Sequence, residues 1–203
     1  MRNTEISLVI TTEDNGMILT NEAIFKAWDY NAKHTGSVRW QKKGATFTAL
    51  ETAAGFEDAA LAKDRHGDDI KIYEEIVQYD PATLDRTILV SLKQLTPKDA
   101  DTALIVDNYT WSNDRSRLLV QTNAEYVWRV KSRGDYWLLN LKDGDLWQLG
   151  GDQAAPSEMM YGAFSPDGLQ FAYVWKNNIY VQNLLSRQVT ALTTDGSTTI
   201  ING

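Results

Sequence analysis

The sequence predicts an all-β protein, part of a β-propeller, with one short helix near its N-terminus. Short apolar strands alternate with polar turns throughout most of the chain, a pattern that indicates antiparallel sheet. A plan of strand, polar turn and strand recurs three times along the chain. Four strands in about 45 residues are the size of one propeller blade.

The recurring plan is an apolar strand ending in an aromatic residue, a polar four-residue turn and a second apolar strand. Three segments share it: VRWQKKGATFTAL at 38–50, YTWSNDRSRLLVQ at 109–121 and GAFSPDGLQFAYV at 162–174. Small sheets of this kind cannot bury both faces alone, so repeats stack around an axis. A β-sandwich with coincidental similarity is the alternative, but the recurring turn favours a propeller.

Residues 1–35 are predicted to be a lead-in to the propeller. A strand is expected at 7–10 and a helix at 22 to about 28, with Thr20 or Asn21 as its N-cap.

Residues 36–203 are predicted to form an incomplete propeller with blades at about 36–97, 104–151 and 158–196. In the first blade, residues 51–69 are expected to be a long loop with little regular structure. The second blade is expected to turn at 122–125 and to place a separate short strand at 126–130.

Composition excludes several classes of protein. The 203 residues include no cysteine and carry a net charge of -7, which argues against disulfides, thiolate chemistry and nucleic-acid binding. No metal or other cofactor is expected, because no run of aspartates with calcium-loop spacing occurs. Asp114, Asp167 and Asp195 are interpreted as turn formers. No apolar run is long enough for a transmembrane segment, and residues 1–14 do not fit a signal peptide.

Three blades and the start of a fourth cannot close a ring, and the pattern stops where another strand is due. We therefore expect the chain to be the N-terminal piece of a larger protein.

Several stretches together resemble the N-terminal propeller of the dipeptidyl peptidase IV family of serine exopeptidases. The most specific are the Trp128-Arg129 pair, the Gly-Asp-Tyr strand at 134–136 and the ending LTTDG…NG. The resemblance implies an eight-bladed propeller above a C-terminal α/β-hydrolase domain with Ser, Asp and His. It also implies removal of dipeptides from peptide N-termini, with Pro or Ala preferred as the second residue.

By this resemblance Arg129 binds the backbone carbonyl of the substrate, while an arginine paired across a strand is the simpler alternative. The family's Glu pair, which holds the substrate's α-amino group, would follow Gly203. Glu74 and Glu75 are interpreted as solvated charges, and His34 and His66 as loop residues. No Gly-x-Ser-x-Gly motif occurs, so no catalytic residue is assigned and the chain is not expected to be active alone.

The predicted partners are peptide N-termini, together with the hydrolase domain, and a homodimer of the full-length protein is left as an option. The resemblance implies a periplasmic or cell-surface location. A non-catalytic propeller that binds other proteins is the alternative function. Three tryptophans, Trp128, Trp137 and Trp147, are expected to pack between blades.

Overall fold

The structure is a computed structural model, and it describes residues 20–26, 38–42, 44–57, 59, 61–63, 67, 69–151 and 156–203. The chain divides into two compact units, Met1–Gly36 and Ser37–Gly203. The strand predicted at 7–10 lies outside the described residues.

The described part of the first unit is one short helix, α1 (Asn21–Phe25). Thr20 is its N-cap, because its hydroxyl accepts a hydrogen bond of 3.1 Å from the backbone N–H of Ala23. The predicted helix is confirmed, although it ends earlier than expected. None of the described helices is long and apolar enough to cross a membrane.

The first blade is a four-stranded antiparallel sheet in the order β1-β2-β5-β6. Its strands are β1 (Val38–Trp40), β2 (Phe47–Thr52), β5 (Glu74–Tyr79) and β6 (Arg86–Val90). The predicted long loop contains a small ladder of its own, in which β3 (Ala62–Lys63) pairs with β4 (Asp69–Ile70).

The second and third blades form one continuous eight-stranded sheet. The second blade consists of β7 (Asn108–Trp111), β8 (Arg117–Val127), β9 (Val130–Asn140) and β10 (Leu146–Gln148). The third consists of β11 (Met159–Phe164), β12 (Gln170–Trp175), β13 (Asn178–Asn183) and β14 (Val189–Ala191). The two blades are joined because β9 also pairs with β11, through Gly134 opposite Met159 and Arg133 opposite Met160.

The turn predicted at 122–125 and the separate strand at 126–130 are wrong. β8 and β9 are instead two 11-residue strands of one hairpin. Their register shifts between Thr122 and Tyr126, so the turn-forming residues there make a bulge rather than a reversal.

Two hydrophobic clusters hold the three blades together. The first contains fully buried side chains of β5, β6, β7, β8 and β9, among them Ile76, Val90 and Leu139. The second joins the second blade to the third and includes Tyr136 and Phe171, whose ring centroids are 5.3 Å apart. Burying one such side chain contributes about 1.5–3 kcal/mol.

The structure confirms the predicted roles of two tryptophans and of the turn formers Asp114 and Asp167. Asp195, by contrast, lies in an irregular segment after β14 and not in a turn. Trp137 packs against the first cluster and Trp147 against the second. Asp114 accepts hydrogen bonds from the hydroxyls of Ser112 and Ser116, at 2.6 and 2.7 Å, within the turn before β8.

Candidate functional site

The β8–β9 hairpin continues beyond the point where the second blade's other strands end. We call residues 123–134 the hairpin arm. Trp128 and Arg129 form its two-residue tip, between the paired residues Val127 and Val130. The tip residues therefore lie beyond the other strands of the blade, where a ligand or another part of the protein could contact them.

Trp128 is 96% exposed, so the prediction that it packs between blades is wrong. Its φ is +64°, a left-handed conformation that bulky side chains rarely adopt. The first position of a two-residue hairpin loop often has positive φ, and glycine is preferred there. An exposed indole in a strained backbone contributes little to folding, which points to a role at the surface.

Arg129 is exposed beside Trp128. Within the described part of the chain, its guanidinium has no hydrogen-bond, ion-pair or ring partner. Among the described residues, Arg129 is therefore not paired across a strand, contrary to the alternative interpretation. Its five N–H donors remain available to a ligand.

A buried carboxylate anchors the base of the arm. Asp135 is only 4% exposed, and its Oδ2 accepts a hydrogen bond of 2.7 Å from Nδ2 of Asn123. Its Oδ1 accepts one of 2.6 Å from the backbone N–H of Ser157, before β11. The Ser157 hydroxyl donates in turn to the carbonyl of Asn123, at 2.7 Å. Asn123 and Ser157 both have positive φ, so this network holds two strained residues in place.

A second acidic residue ties the arm on its other side. One carboxylate oxygen of Asp107 accepts a hydrogen bond of 2.8 Å from the backbone N–H of Ala124. The other lies 3.2 Å from Nζ of Lys131. Asp107 thereby bridges both strands of the arm just above the bulge.

Gly134 is required where the arm meets the blade. A Cβ at this position would lie 2.9 Å from both Nε2 of Gln121 and the carbonyl oxygen of Thr122, distances that no side chain tolerates. The close approach lets Gln121 donate a hydrogen bond of 3.2 Å to the carbonyl of Arg133. The arm is thus held by close contacts and hydrogen bonds at its base, whereas its tip is exposed.

A cavity of about 230 Å³ lies between the arm and the first strand of the third blade. Lys131, Ser132, Tyr136 and Tyr161 are among its lining residues. Tyr161 is exposed and has a φ of +55°. Burial raises the pKa of Tyr136, whose hydroxyl accepts a hydrogen bond of 3.1 Å from the backbone N–H of Gly162.

The two glutamates of β5 are not the solvated charges that the sequence predicts. Glu75 is 8% exposed, and burial raises the pKa of Glu74 although Lys71 opposes this shift. They begin β5, and Glu75 lies opposite Glu51 in the register with β2. His34 and His66 lie outside the described residues. Among those that are described, no three His, Cys, Asp or Glu side chains lie together as a metal site would require.

Comparison with known proteins bears directly on this arrangement. Residues 112–203, which include the arm, match the family profile described as the dipeptidyl peptidase IV N-terminal region. Over residues 112–203 the chain is therefore similar to the N-terminal region of the dipeptidyl peptidase IV family. The fold is accordingly part of a β-propeller.

Individual relatives support the assignment. Dipeptidyl aminopeptidase B of Saccharomyces cerevisiae is 33% identical over 101 residues, which is 49% of this chain and 12% of the relative. A Schizosaccharomyces pombe protein assigned to the dipeptidyl aminopeptidases is 32% identical over 149 residues, which is 73% of this chain and 17% of the relative. The chain therefore spans less than a fifth of the length of these curated relatives.

A solved structure shows the same fold. The crystal structure of Porphyromonas gingivalis dipeptidyl peptidase 4 superposes with a TM-score of 0.62 at 20% sequence identity. The match covers 88% of this chain and 22% of that structure. These relatives are named as dipeptidyl peptidases or dipeptidyl aminopeptidases.

Arg129 is proposed from the sequence as a site residue, but the sequence does not predict the residues that hold the arm. Asp107, Asp135 and Ser157 lie in separate segments of the chain. Asp135 falls within the Gly-Asp-Tyr stretch of the resemblance, but that stretch predicts no anchoring role for it.

Proposed function

We propose that this chain is the propeller portion of a dipeptidyl peptidase IV-like serine exopeptidase, in which Arg129 binds a backbone carbonyl of the peptide substrate. One observation supports this role above the others. Arg129 is an exposed arginine, without a partner among the described residues, at the tip of an arm anchored by buried hydrogen bonds.

The anchoring matters because a donor that is already in position contributes more to the free energy of binding than a mobile one. A guanidinium offers several donors in a fixed plane, and a carbonyl oxygen accepts two of them. The bonds from Asp135 and Asp107 fix the arm before the substrate arrives, so less ordering entropy is lost on binding. Trp128 adds apolar surface beside the guanidinium, and that surface would exclude water from the bond.

The finer features of the proposal concern the whole protein. Residues 1–35 serve as a lead-in, and 36–203 as blades of an incomplete propeller. In the intact protein, an α/β-hydrolase domain supplies the catalytic groups, and peptide N-termini are the substrates. A homodimer is the proposed assembly of the full-length protein.

The test is hydrolysis of a Xaa-Pro chromogenic substrate by the full-length protein that carries this region. Arg129→Ala should lower kcat/KM by about 100-fold, since charge-assisted hydrogen bonds contribute about 1.5–3 kcal/mol each. Arg129→Lys should recover part of the loss, because one ammonium donor replaces a planar pair.

Arg133→Ala is the matched control, because it removes an exposed arginine from the same arm away from the tip. It should leave kcat/KM within about twofold of the parent protein. Equal effects of the two replacements would show that the arm's charge, and not Arg129, is what matters. An unchanged kcat/KM in Arg129→Ala would remove the proposed role.

A non-catalytic interaction module remains the second candidate, because the arm exposes apolar side chains. Tyr126, Trp128 and Val130 are all more than 60% exposed. Such a surface suits a protein partner as well as a peptide. A full-length protein that hydrolyses no Xaa-Pro substrate, yet loses a binding partner on Trp128→Ser, would favour this candidate.

A further inference from the structure

A cleft of about 440 Å³ lies between the first strands of the first two blades, β1 and β7. Each of these strands is at an end of its sheet. The cleft's described lining residues combine cations with indoles, and none of them is acidic. The lining includes Arg39, Trp40, Lys42, Trp111, Asn113 and Arg115.

The three cations of the cleft are held in place by neutral oxygen atoms. Arg39 donates to the carbonyl of Tyr109 and to Oδ1 of Asn108, and its guanidinium carbon lies 4.0 Å from the centre of the Tyr109 ring. Lys42 donates to Oδ1 of Asn113 at 3.0 Å.

Arg115 lies over an indole. Its guanidinium carbon is 5.3 Å from the centre of the Trp111 ring, and it donates a long hydrogen bond of 3.4 Å to Oε1 of Gln78. All three cations are therefore oriented, and none of the oxygens that orient them carries a formal charge.

Several cations elsewhere in the described structure have carboxylate partners. Arg86 lies 2.9 Å from Glu51, Lys131 lies 3.2 Å from Asp107, and Arg187 lies 2.7 Å from Asp145. Over the residues that the structure describes, no such pair involves a cation of the cleft.

This concentration of unneutralised positive charge occurs in a chain whose net charge is -7. Half-burial also lowers the pKa of Arg39, because its charge is partly removed from water without an acidic neighbour. Desolvated charge without a counter-ion is costly, and an anion that enters the cleft would relieve that cost.

We propose that this cleft binds a carboxylate-bearing segment of a peptide or protein. The cations supply charge-assisted hydrogen bonds to its carboxylates. Trp40, with 64% of its surface exposed, supplies an apolar wall for the peptide between them. β1 and β7 are end strands, whose free edges suit an extended chain better than a compact ion.

None of the described residues that line the cleft belongs to the arm, although Tyr109 and Thr110 line both the cleft and the cavity beside the arm. Arg115 precedes β8 and Arg129 follows it, so the 11-residue strand places them at opposite ends, roughly 35 Å apart. The inference therefore does not depend on the role proposed for Arg129.

The experiment measures binding of a fluorescein-labelled tetraglutamate peptide to the full chain by anisotropy at low ionic strength. Binding should weaken by about tenfold or more in the double variant Lys42→Gln, Arg115→Gln, since two charge-assisted contacts are lost. It should also weaken steeply as salt is added. Both replaced side chains are at the surface, so folding is preserved.

The matched control removes two exposed cations elsewhere, in the double variant Lys98→Gln, Lys142→Gln. Binding within about twofold of the parent supports the cleft, because general attraction would weaken equally in both variants. Two further probes test the ligand class. Tetralysine that binds as well as tetraglutamate would overturn the proposal, and so would inorganic phosphate that displaces the labelled peptide at equal concentration.

Discussion

The two halves of the β8–β9 hairpin are built in different ways. Its lower half, residues 117–122 paired with 135–140, lies between two hydrophobic clusters, and Leu118, Val120 and Leu139 are fully buried there. Its upper half, the hairpin arm, has exposed apolar side chains and is held by hydrogen bonds to Asp107 and Asp135. The lower half of the hairpin is thus stabilised by hydrophobic packing, and the hairpin arm by hydrogen bonds. The candidate site lies in the arm.

The largest expected difference between the halves is in packing. Leu139→Ala should lower the free energy of unfolding by about 3 kcal/mol, because the side chain is fully buried in the first cluster. Val130→Ala, in the exposed arm, should change it by less than about 0.5 kcal/mol. Denaturant titration of the full chain measures both values. Similar losses in the two variants would show that the arm is packed in solution and would contradict the comparison.

The second prediction concerns the anchor of the arm. Asp135→Ala should lower the free energy of unfolding by about 2 kcal/mol, because the Ser157 N–H and the Asn123 amide lose their acceptor. Hydrogen exchange at the Ala124 amide should become faster, since that N–H lies within the arm. Asp143→Ala is the control and should leave the arm's exchange unchanged. Among the described residues, that carboxylate accepts hydrogen bonds within the β9–β10 turn alone.

If Arg129 binds substrate, Asp135 acts through it as a positioning residue. A double-mutant cycle tests this in the full-length protein. Asp135→Ala should lower kcat/KM in the parent but have little further effect when Arg129 is already alanine. Independent, additive losses would confine Asp135 to stability, whereas no loss from Arg129→Ala itself would count against the proposed function instead.

The lower half of the hairpin could be predicted from the sequence, and the arm could not. Apolar and aromatic residues at 118–121 and 136–141 indicate strands wherever they occur. At 122–125, however, local preference favours a turn, and the residues that override it come from elsewhere. Asp107 and Ser157 lie 17 and 34 residues from their hydrogen-bond partners, Ala124 and Asn123. Local patterns carry no information on such contacts.

The same limit applies to the candidate sites. Arg129 could be singled out because Trp128-Arg129 resembles a family motif. That it has no partner among the described residues is seen only in the structure. The cationic cleft could not be predicted from the sequence, because no motif marks its basic residues. Composition counts 20 basic and 27 acidic residues, but it does not tell which basic residues have acidic neighbours.

A third prediction concerns Asp114, a carboxylate that accepts hydrogen bonds at the other end of β8 from Asp135. Hydrogen bonds from the Ser112 and Ser116 hydroxyls lower the pKa of Asp114 from 3.8 to about 2. A carboxylate whose pKa is lower in the folded state stabilises the protein above its unfolded pKa. That contribution should be present above about pH 4 and disappear as the pH falls to about 2.

Asp114→Asn should therefore lower the Tm at neutral pH, and the difference from the parent should shrink on acidification and vanish near pH 2. Asp167→Asn, in the equivalent turn of the third blade, should behave in the same direction, since hydrogen bonds from the Ser165 hydroxyl and the Leu169 N–H lower its pKa as well. A pH-independent Tm difference would show that the side-chain shape, and not the charge, maintains the turn.

The smallest effect on stability is expected at the tip of the arm. Trp128→Gly relieves a positive φ of 64°, which disfavours a bulky residue by about 1–2 kcal/mol. Glycine also increases the entropy of the unfolded chain, which offsets about 0.5–1 kcal/mol of that gain. The free energy of unfolding should therefore stay equal or rise slightly, whereas Trp137→Ala, which removes a side chain packed on the first cluster, should lower it by about 3 kcal/mol.

A marked loss in Trp128→Gly would mean that the indole packs in solution, and the arm would then resemble the lower half of the hairpin. Unchanged stability together with weaker peptide binding would show that the strained tryptophan serves recognition rather than folding.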